Sequence, residues 1–242
     1  MIRSLFLVIV GFILTGISSL YVILAYPFFS KGPDAVQKVT FLWSSVLLKL
    51  ASVKVEVIGR ENILRNTPQI FMSNHQSWFD IFVLLIAVNT QYRFLAKKEL
   101  FEVPVFGLAL RKSGAIPIDR KRLISAMRSI DAAAKQIRQG TSVMTFPEGT
   151  RSKNGQILPF KSGVFYLALK AGAPIVPISI VGTAEIMPKQ SLKVNPGNVT
   201  VVIGEPIQVK DYSTENMDGL IEKVSDVVCR NYYARKPNTT AK

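Results

Sequence analysis

The chain has 242 residues, is 48% apolar and carries a formal charge of +14, with one histidine and one cysteine. That length holds one sizeable domain plus a small appendage. A lone cysteine, Cys229, excludes an intramolecular disulfide and a thiolate metal cluster, and a lone histidine argues against a multi-histidine zinc site.

The positive balance favours anionic partners. There is no zinc-finger spacing, no RNA-binding aromatic signature and no helix-turn-helix, so no nucleic-acid partner is expected. Anionic lipid and phosphorylated substrates remain.

Ser4 to Phe29 is free of charged residues. As a helix rising about 1.5 Å per residue, it outreaches a hydrocarbon core of roughly 30 Å. A signal peptide has a shorter apolar core and a small-x-small cleavage site, so the stretch reads as an anchor. The turn Lys31-Gly32-Pro33-Asp34 leads to a second helix, in which Val36, Val39, Trp43, Val46 and Leu50 share a stripe. It either packs back on the first helix or lies on a membrane surface. Together the two form a hydrophobic two-helix membrane anchor over residues 1–50. Arg3 before the first helix and Lys31 after it leave the charge rule for orientation almost silent.

From Val53 the pattern alternates with period two, which marks a strand. Further strands are expected at Gln69–Met72, Tyr92–Ala96, Ala115–Ile118, Ser142–Phe146, Pro174–Val181 and Val199–Ile203. The clearest helix between them is Arg122–Gln139, with Leu123, Met127, Ile130, Ala134 and Ile137 on one face and Gly140 as a stop. Strands alternating with helices predict an α/β domain over residues 51–235, built on a mixed, largely parallel sheet flanked by helices. Residues 236–242 read as a disordered tail. Pro177, inside an apolar run, predicts an edge, a bulge or a site wall.

Four stretches carry candidate chemistry. His75 and Asp80 lie in SNHQSWFD. On one continuous helix their side chains would diverge by about 140°, so a pair acting together needs a loop through His75. Ser77 then caps the helix containing Ile81–Val88, with Asp80 at its third position, as in a capping box. A cap alone explains Asp80 without any chemistry. The two roles are compatible, because a carboxylate in the first turn can accept Nδ1–H and leave Nε2 to take a proton. No G-x-S-x-G nucleophile elbow accompanies the pair, so the substrate must supply the attacking hydroxyl.

The second stretch is FPEGTRS, Phe146 to Ser152, where Arg151 offers a planar fork for phosphate and Thr150 a further donor. The others are SGAIPIDRKR, with its cations after a short strand, and IVPISIVG. Each taken alone also fits an ordinary turn or a solvated charge run. Cys229 has no histidine near it in sequence and reads as a small apolar residue.

In order and spacing these stretches resemble the 1-acylglycerol-3-phosphate acyltransferase family. His75 to Asp80 matches its histidine–four residues–aspartate motif. Lys98-x-x-Phe101-x-x-Pro104-x-x-Gly107 with Gly114 to Arg120 matches the second block. Phe146 to Ser152 and Val176-Pro177-Ile178 match the third and fourth.

The resemblance implies direct acyl transfer from a thioester, acyl-CoA or acyl carrier protein, to the sn-2 hydroxyl of lysophosphatidic acid. His75 is the base and Asp80 its support. Arg151 binds phosphate, Lys98 and Arg120 serve phosphate or donor, and Glu148, Gly149 and Thr150 shape the substrate site. It implies no metal, no cofactor beyond the thioester, membrane lipids as partners, and a cytoplasmic-side active site at the inner (plasma) membrane. Another acceptor, such as glycerol-3-phosphate, and a non-catalytic anionic-lipid-binding protein are the rival readings.

Overall fold

The computed structural model describes residues 1–119 and 123–236. Arg120 and residues 237–242, nearly all of the expected tail, therefore lie outside the described residues. Helix α1 (Ile2–Ala25) and helix α2 (Pro33–Leu50) precede the sheet. Then come β1 (Val53–Ile58), β2 (Ile70–Ser73), α3 (Phe79–Ala87), β3 (Arg93–Lys97), α4 (Phe106–Lys112) and β4 (Ile116–Ile118). The chain continues through α5 (Leu123–Arg138), β5 (Val143–Thr145), α6 (Ser162–Ala171), β6 (Ile175–Val181), α7 (Thr183–Ile186), β7 (Gly197–Ile203) and α8 (Met217–Tyr233).

Seven strands form one sheet in the order β1-β7-β6-β2-β5-β3-β4, parallel except where β6 meets β7. The mixed, largely parallel sheet expected from the sequence is therefore present. Strand composition follows position. Central β2 and β6 are buried at every residue, while edge strand β1 alternates from buried to exposed.

Pro177 sits in central β6, not at an edge, and a bulge accommodates it. Ile178 pairs with Ile203, but Ile175 pairs with Ile207, so the register slips by one residue between them. The missing N–H falls in that slip, and the Pro177 carbonyl still accepts the Gly204 N–H at 2.8 Å.

Helices cover both faces. On one, α3 packs over Phe71, Met144, Val176 and Ile178, and α2 adds Leu48 to that core. On the other, Ile130, Ala133, Ala134 and Ile137 of α5 join residues of α6 and α8 against Ile70, Met72 and Val143. Fully burying one such side chain contributes about 1.5–3 kcal/mol. Helix α5 starts within a residue of its expected position, because its stripe at helical spacing is this buried face.

The first helix matches expectation more closely than the second. Ile2–Phe28 is the one segment among the described residues that is long and apolar enough to cross a membrane, and little of it is buried. Helix α2 differs. Val36, Ser44, Leu47 and Leu48 are buried while Phe41, Leu42 and Val46 are exposed. Trp43 meets Phe82 of α3 edge-on at 4.9 Å. This helix is amphipathic and packs on both α1 and α3, with an apolar strip left exposed.

A short 3₁₀ turn at Lys98–Glu102 and α4 are joined by a strained corner. Val105 has φ 62° and ψ −59°, and the Phe106 N–H bonds the Pro104 carbonyl at 2.6 Å. That is a γ-turn with positive φ, rare for a β-branched residue. Gly107 beside it has no room for a side chain, since a Cβ would lie 2.3 Å from the Phe101 carbonyl oxygen. The spacing of Phe101, Pro104 and Gly107 thus reflects the close packing that holds Lys98 at the end of β3.

Candidate active site

All the parallel strands in the centre of the sheet end on one edge, and the four sequence stretches converge there. Strands β2 and β5 are adjacent, with Met72 opposite Thr145. The chain leaving β2 carries His75, and the chain leaving β5 carries Glu148. Beyond the last β2–β6 pair, Asn74 extends the ladder with its side chain. Its amide donates to the Ile180 carbonyl at 2.9 Å and accepts the Ile180 N–H at 2.7 Å. That clasp fixes the backbone just before His75.

Asp80 is fully buried in the first turn of α3. Its Oδ2 lies 2.7 Å from His75 Nδ1 and accepts the N–H groups of Gln76 at 2.6 Å and Ser77 at 2.9 Å. A carboxylate reaching back to the residues before its helix is one half of the expected capping box. The other half differs. Helix α3 starts at Phe79, and Ser77 Oγ, which accepts the Phe79 N–H at 3.2 Å, donates to the Met187 carbonyl at 2.8 Å. Ser77 therefore ties the loop to the chain after α7 while supporting the helix start.

The contact places the Asp80 carboxylate against Nδ1 and leaves Nε2 as the ring nitrogen turned away from it. The imidazole is stacked on Phe146, with ring centroids 3.9 Å apart and planes 14° from parallel. Its side chain is 17% exposed, so the ring is reached from one side only.

Glu148 lies behind the histidine, 1% exposed. One oxygen accepts the His75 N–H at 2.6 Å and the other the Leu158 N–H at 2.8 Å. Burial pushes its carboxyl up to about 7, opposed by those two hydrogen bonds and reinforced by the Asp80 charge. Both oxygens are occupied, so Glu148 joins two loops. The Ser152 N–H closes the same loop on the His75 carbonyl at 2.8 Å.

Gly149 turns the chain at φ +71°, and a Cβ there would crowd the Lys161 side chain at 3.2–3.3 Å. Arg151 then lays its guanidinium over the ring of Trp78, 4.5 Å from the centroid. Stacking leaves the N–H fork free at its edges for an oxyanion. Lys189 completes this group by donating to Thr150 Oγ1 at 3.2 Å and to the Arg151 carbonyl at 2.5 Å.

The sequence-derived residues thus fall into two sets. His75, Asp80, Glu148, Gly149, Thr150 and Arg151 come together. Lys98 stands apart, two strands along the same sheet edge, and its Nζ is 3.5 Å from Asp119. Asn74, Trp78 and Lys189 were missed. Asn74 and Trp78 flank the histidine in the quoted stretch and were legible as part of it. Lys189, in an irregular segment far along the chain, carries no local signal.

A largely parallel sheet thus carries an Asp-held imidazole at the ends of its central strands, in an α/β fold with helices on both faces. The chain belongs to the acyltransferase family, whose family model, described as Acyltransferase, matches residues 54–181. It is 40% identical over 168 residues to a chloroplastic 1-acyl-sn-glycerol-3-phosphate acyltransferase from Brassica napus, covering 69% of this chain and 48% of that one. It is 33% identical over 176 residues to the alpha form of that acyltransferase from Homo sapiens, covering 72% and 62%. The chain spans about half the length of the chloroplastic relatives from Brassica napus and Arabidopsis thaliana. The crystal structure of the 1-acyl-sn-glycerophosphate acyltransferase from Thermotoga maritima aligns with TM-score 0.83 and 27% identity, over 99% of this chain and 97% of that one. The resemblance to 1-acylglycerol-3-phosphate acyltransferases drawn from the four stretches therefore holds.

Proposed function

We propose that this chain moves a fatty acyl group from an acyl thioester to the sn-2 hydroxyl of 1-acylglycerol-3-phosphate, giving phosphatidic acid and a free thiol. The observation that carries the reading is the 2.7 Å contact between His75 Nδ1 and Asp80 Oδ2, which leaves Nε2 as the base. Nε2 takes the proton of the acceptor hydroxyl as its oxygen attacks the thioester carbonyl carbon. The carbon–sulfur bond then breaks, and the departing thiolate takes the proton back from the imidazolium. The acyl group passes directly, so no enzyme ester forms. Such acid–base help is worth about 10²–10⁴-fold.

Arg151, braced on Trp78, takes the acceptor phosphate, with Thr150 and Lys189 beside it. Helix α1 holds the chain at the inner (plasma) membrane, where acceptor and product reside, with the site facing the cytoplasmic thioester. The positive charge of the chain adds attraction for anionic lipid.

The test is acyl transfer from a long-chain thioester to lysophosphatidic acid by wild type and His75→Ala, with lipid binding followed in parallel. Product from wild type alone, with binding kept in the variant, supports the reading. Lipid binding without product from either protein moves the assignment to a binding protein, and equal product from both removes His75 from the chemistry.

A further inference from the structure

Helix α8 lies beyond residues 54–181, which the family model matches, yet its last turn reaches the edge of the sheet that bears His75. Leu220 and Val224 seat the helix in the core shared with α5 and α6, on the face opposite α3. Further along the same helix Tyr232 is buried. Its hydroxyl is shared between the Gly155 carbonyl, at 2.7 Å, and Gln76 Oε1, at 3.1 Å. Gln76 is the residue after His75, and Gly155 follows Arg151 in the chain leaving β5. Burial pushes the phenol up to about 12, so it keeps its proton and serves as a donor. With its side chain out of reach of substrate, any effect on the reaction passes through these two partners.

The two partners are not equal. Lys236 Nζ also donates to the Gly155 carbonyl, at 2.8 Å, and lies 5.5 Å from the centroid of the Tyr232 ring. Gly155 therefore keeps a donor when the Tyr232 hydroxyl is removed. Gln76 Oε1 does not, since among the described residues its one hydrogen-bond donor is that hydroxyl. Gln76 is itself buried, and an orphaned buried oxygen must turn to find another donor. Its backbone is drawn along. The Gln76 N–H is bonded to Asp80 Oδ2 at 2.6 Å, the same oxygen that faces His75 Nδ1 at 2.7 Å. Asp80 Oδ1 has no hydrogen-bond partner among the described residues, so the contacts of Oδ2 orient the carboxylate. An unbroken series of hydrogen bonds thus runs from the end of α8 to the imidazole.

We infer that Tyr232 is a positioning residue for the base: acting through Gln76, it holds Asp80 in place against His75. Its effect on rate rests on the acyl-transfer reading above.

The chain has one histidine, so the ring of His75 gives a single imidazole signal in the full-length protein. The experiment reads that signal by nitrogen NMR in detergent micelles, beside steady-state thiol release with a long-chain thioester and lysophosphatidic acid. It compares wild type with Tyr232→Phe, Gln76→Met, the double variant and Val224→Ala, at a temperature where thermal melts show each of them folded. Val224→Ala loosens the packing of α8 without touching either loop, and so controls for stability. Tyr232→Phe should lower kcat about five- to tenfold, the scale of one lost hydrogen bond, and leave the KM values for thioester and acceptor unchanged. The Nδ1 signal should shift in Tyr232→Phe and in Gln76→Met and stay in place in Val224→Ala. The double variant should lose no more than the larger single loss, because both changes break the same link. Losses that multiply in the double variant would overturn the inference. So would a change confined to KM, an unmoved ring signal in Tyr232→Phe, or an equal loss of kcat in Val224→Ala. Failure of wild type to transfer an acyl group would instead remove the acyl-transfer reading, and the ring signal would still decide whether Tyr232 holds the base.

Discussion

Asp80→Asn separates the charge of Asp80 from its shape. The amide oxygen can take the place of Oδ2 and keep accepting from His75 Nδ1, Gln76 N–H and Ser77 N–H. The ring tautomer survives, and what is lost is the negative charge facing the imidazolium. For charge centres ~4 Å apart and an effective dielectric near 20, that attraction is about 4 kcal/mol. A half-transferred proton in the transition state would feel roughly half of it. Since about 1.4 kcal/mol is tenfold in rate, kcat should fall roughly 30- to 1,000-fold. Stability should fall as well. The amide NH₂ must occupy the position of Oδ1, which is buried without a hydrogen-bond partner among the described residues. An unsatisfied buried donor costs about 1–3 kcal/mol. Steady-state thiol release on lysophosphatidic acid, beside a thermal melt, reads both effects. A folded variant with kcat within about threefold of wild type would refute the electrostatic role assigned to Asp80.

Three further outcomes follow from the same geometry. Glu148 has its carboxyl raised from 4.5 to about 7 in the folded chain, so the native state holds its proton more tightly than the unfolded one. Stability should therefore decline as pH rises between those values and level off above, by ~3 kcal/mol at about 1.4 per unit. Urea unfolding at pH 5 and pH 8 should show the slope in wild type and lose it in Glu148→Gln, and an unchanged slope would exclude Glu148 as its source. Arg151→Lys keeps a charge but neither stacks flat on Trp78 nor offers a fork, so the acceptor KM should rise about tenfold or more while the donor KM holds. Equal acceptor KM values would remove Arg151 from phosphate binding. Gly149→Ala at φ +71° should cost about 1–2 kcal/mol by chemical denaturation, and a neutral result would show that the turn relaxes.

Much of this architecture could be read from residue patterns, because those patterns are what burial selects. The α5 stripe and the uninterrupted apolar runs of β2 and β6 each describe a surface removed from water. The His75–Asp80 pair was legible for a similar reason: a helix start is the local device that brings residues at that spacing together. Pro177 was harder. Its conflict with a ladder is local, but the one-residue slip that resolves it lies across the sheet at Ile203 and Ile207. Helix α2 left two readings open because an amphipathic face does not say whether protein or lipid covers it. Lys189 was out of reach, since its link to Thr150 and Arg151 exists only after β6 and β5 have joined the sheet.

The corner at Val105 has a consequence for how this surface was shaped. A glycine would adopt φ 62° without the torsional cost, which for a β-branched residue is of order 1–3 kcal/mol. The turn asks only for the backbone angles, and glycine is the residue that supplies them cheaply. What valine adds is an apolar side chain, 45% exposed, next to Val103 at 45% and Leu108 at 44%. The chain thus gives up folding free energy at this position and presents an oily knuckle to its surroundings, one corner away from Lys98.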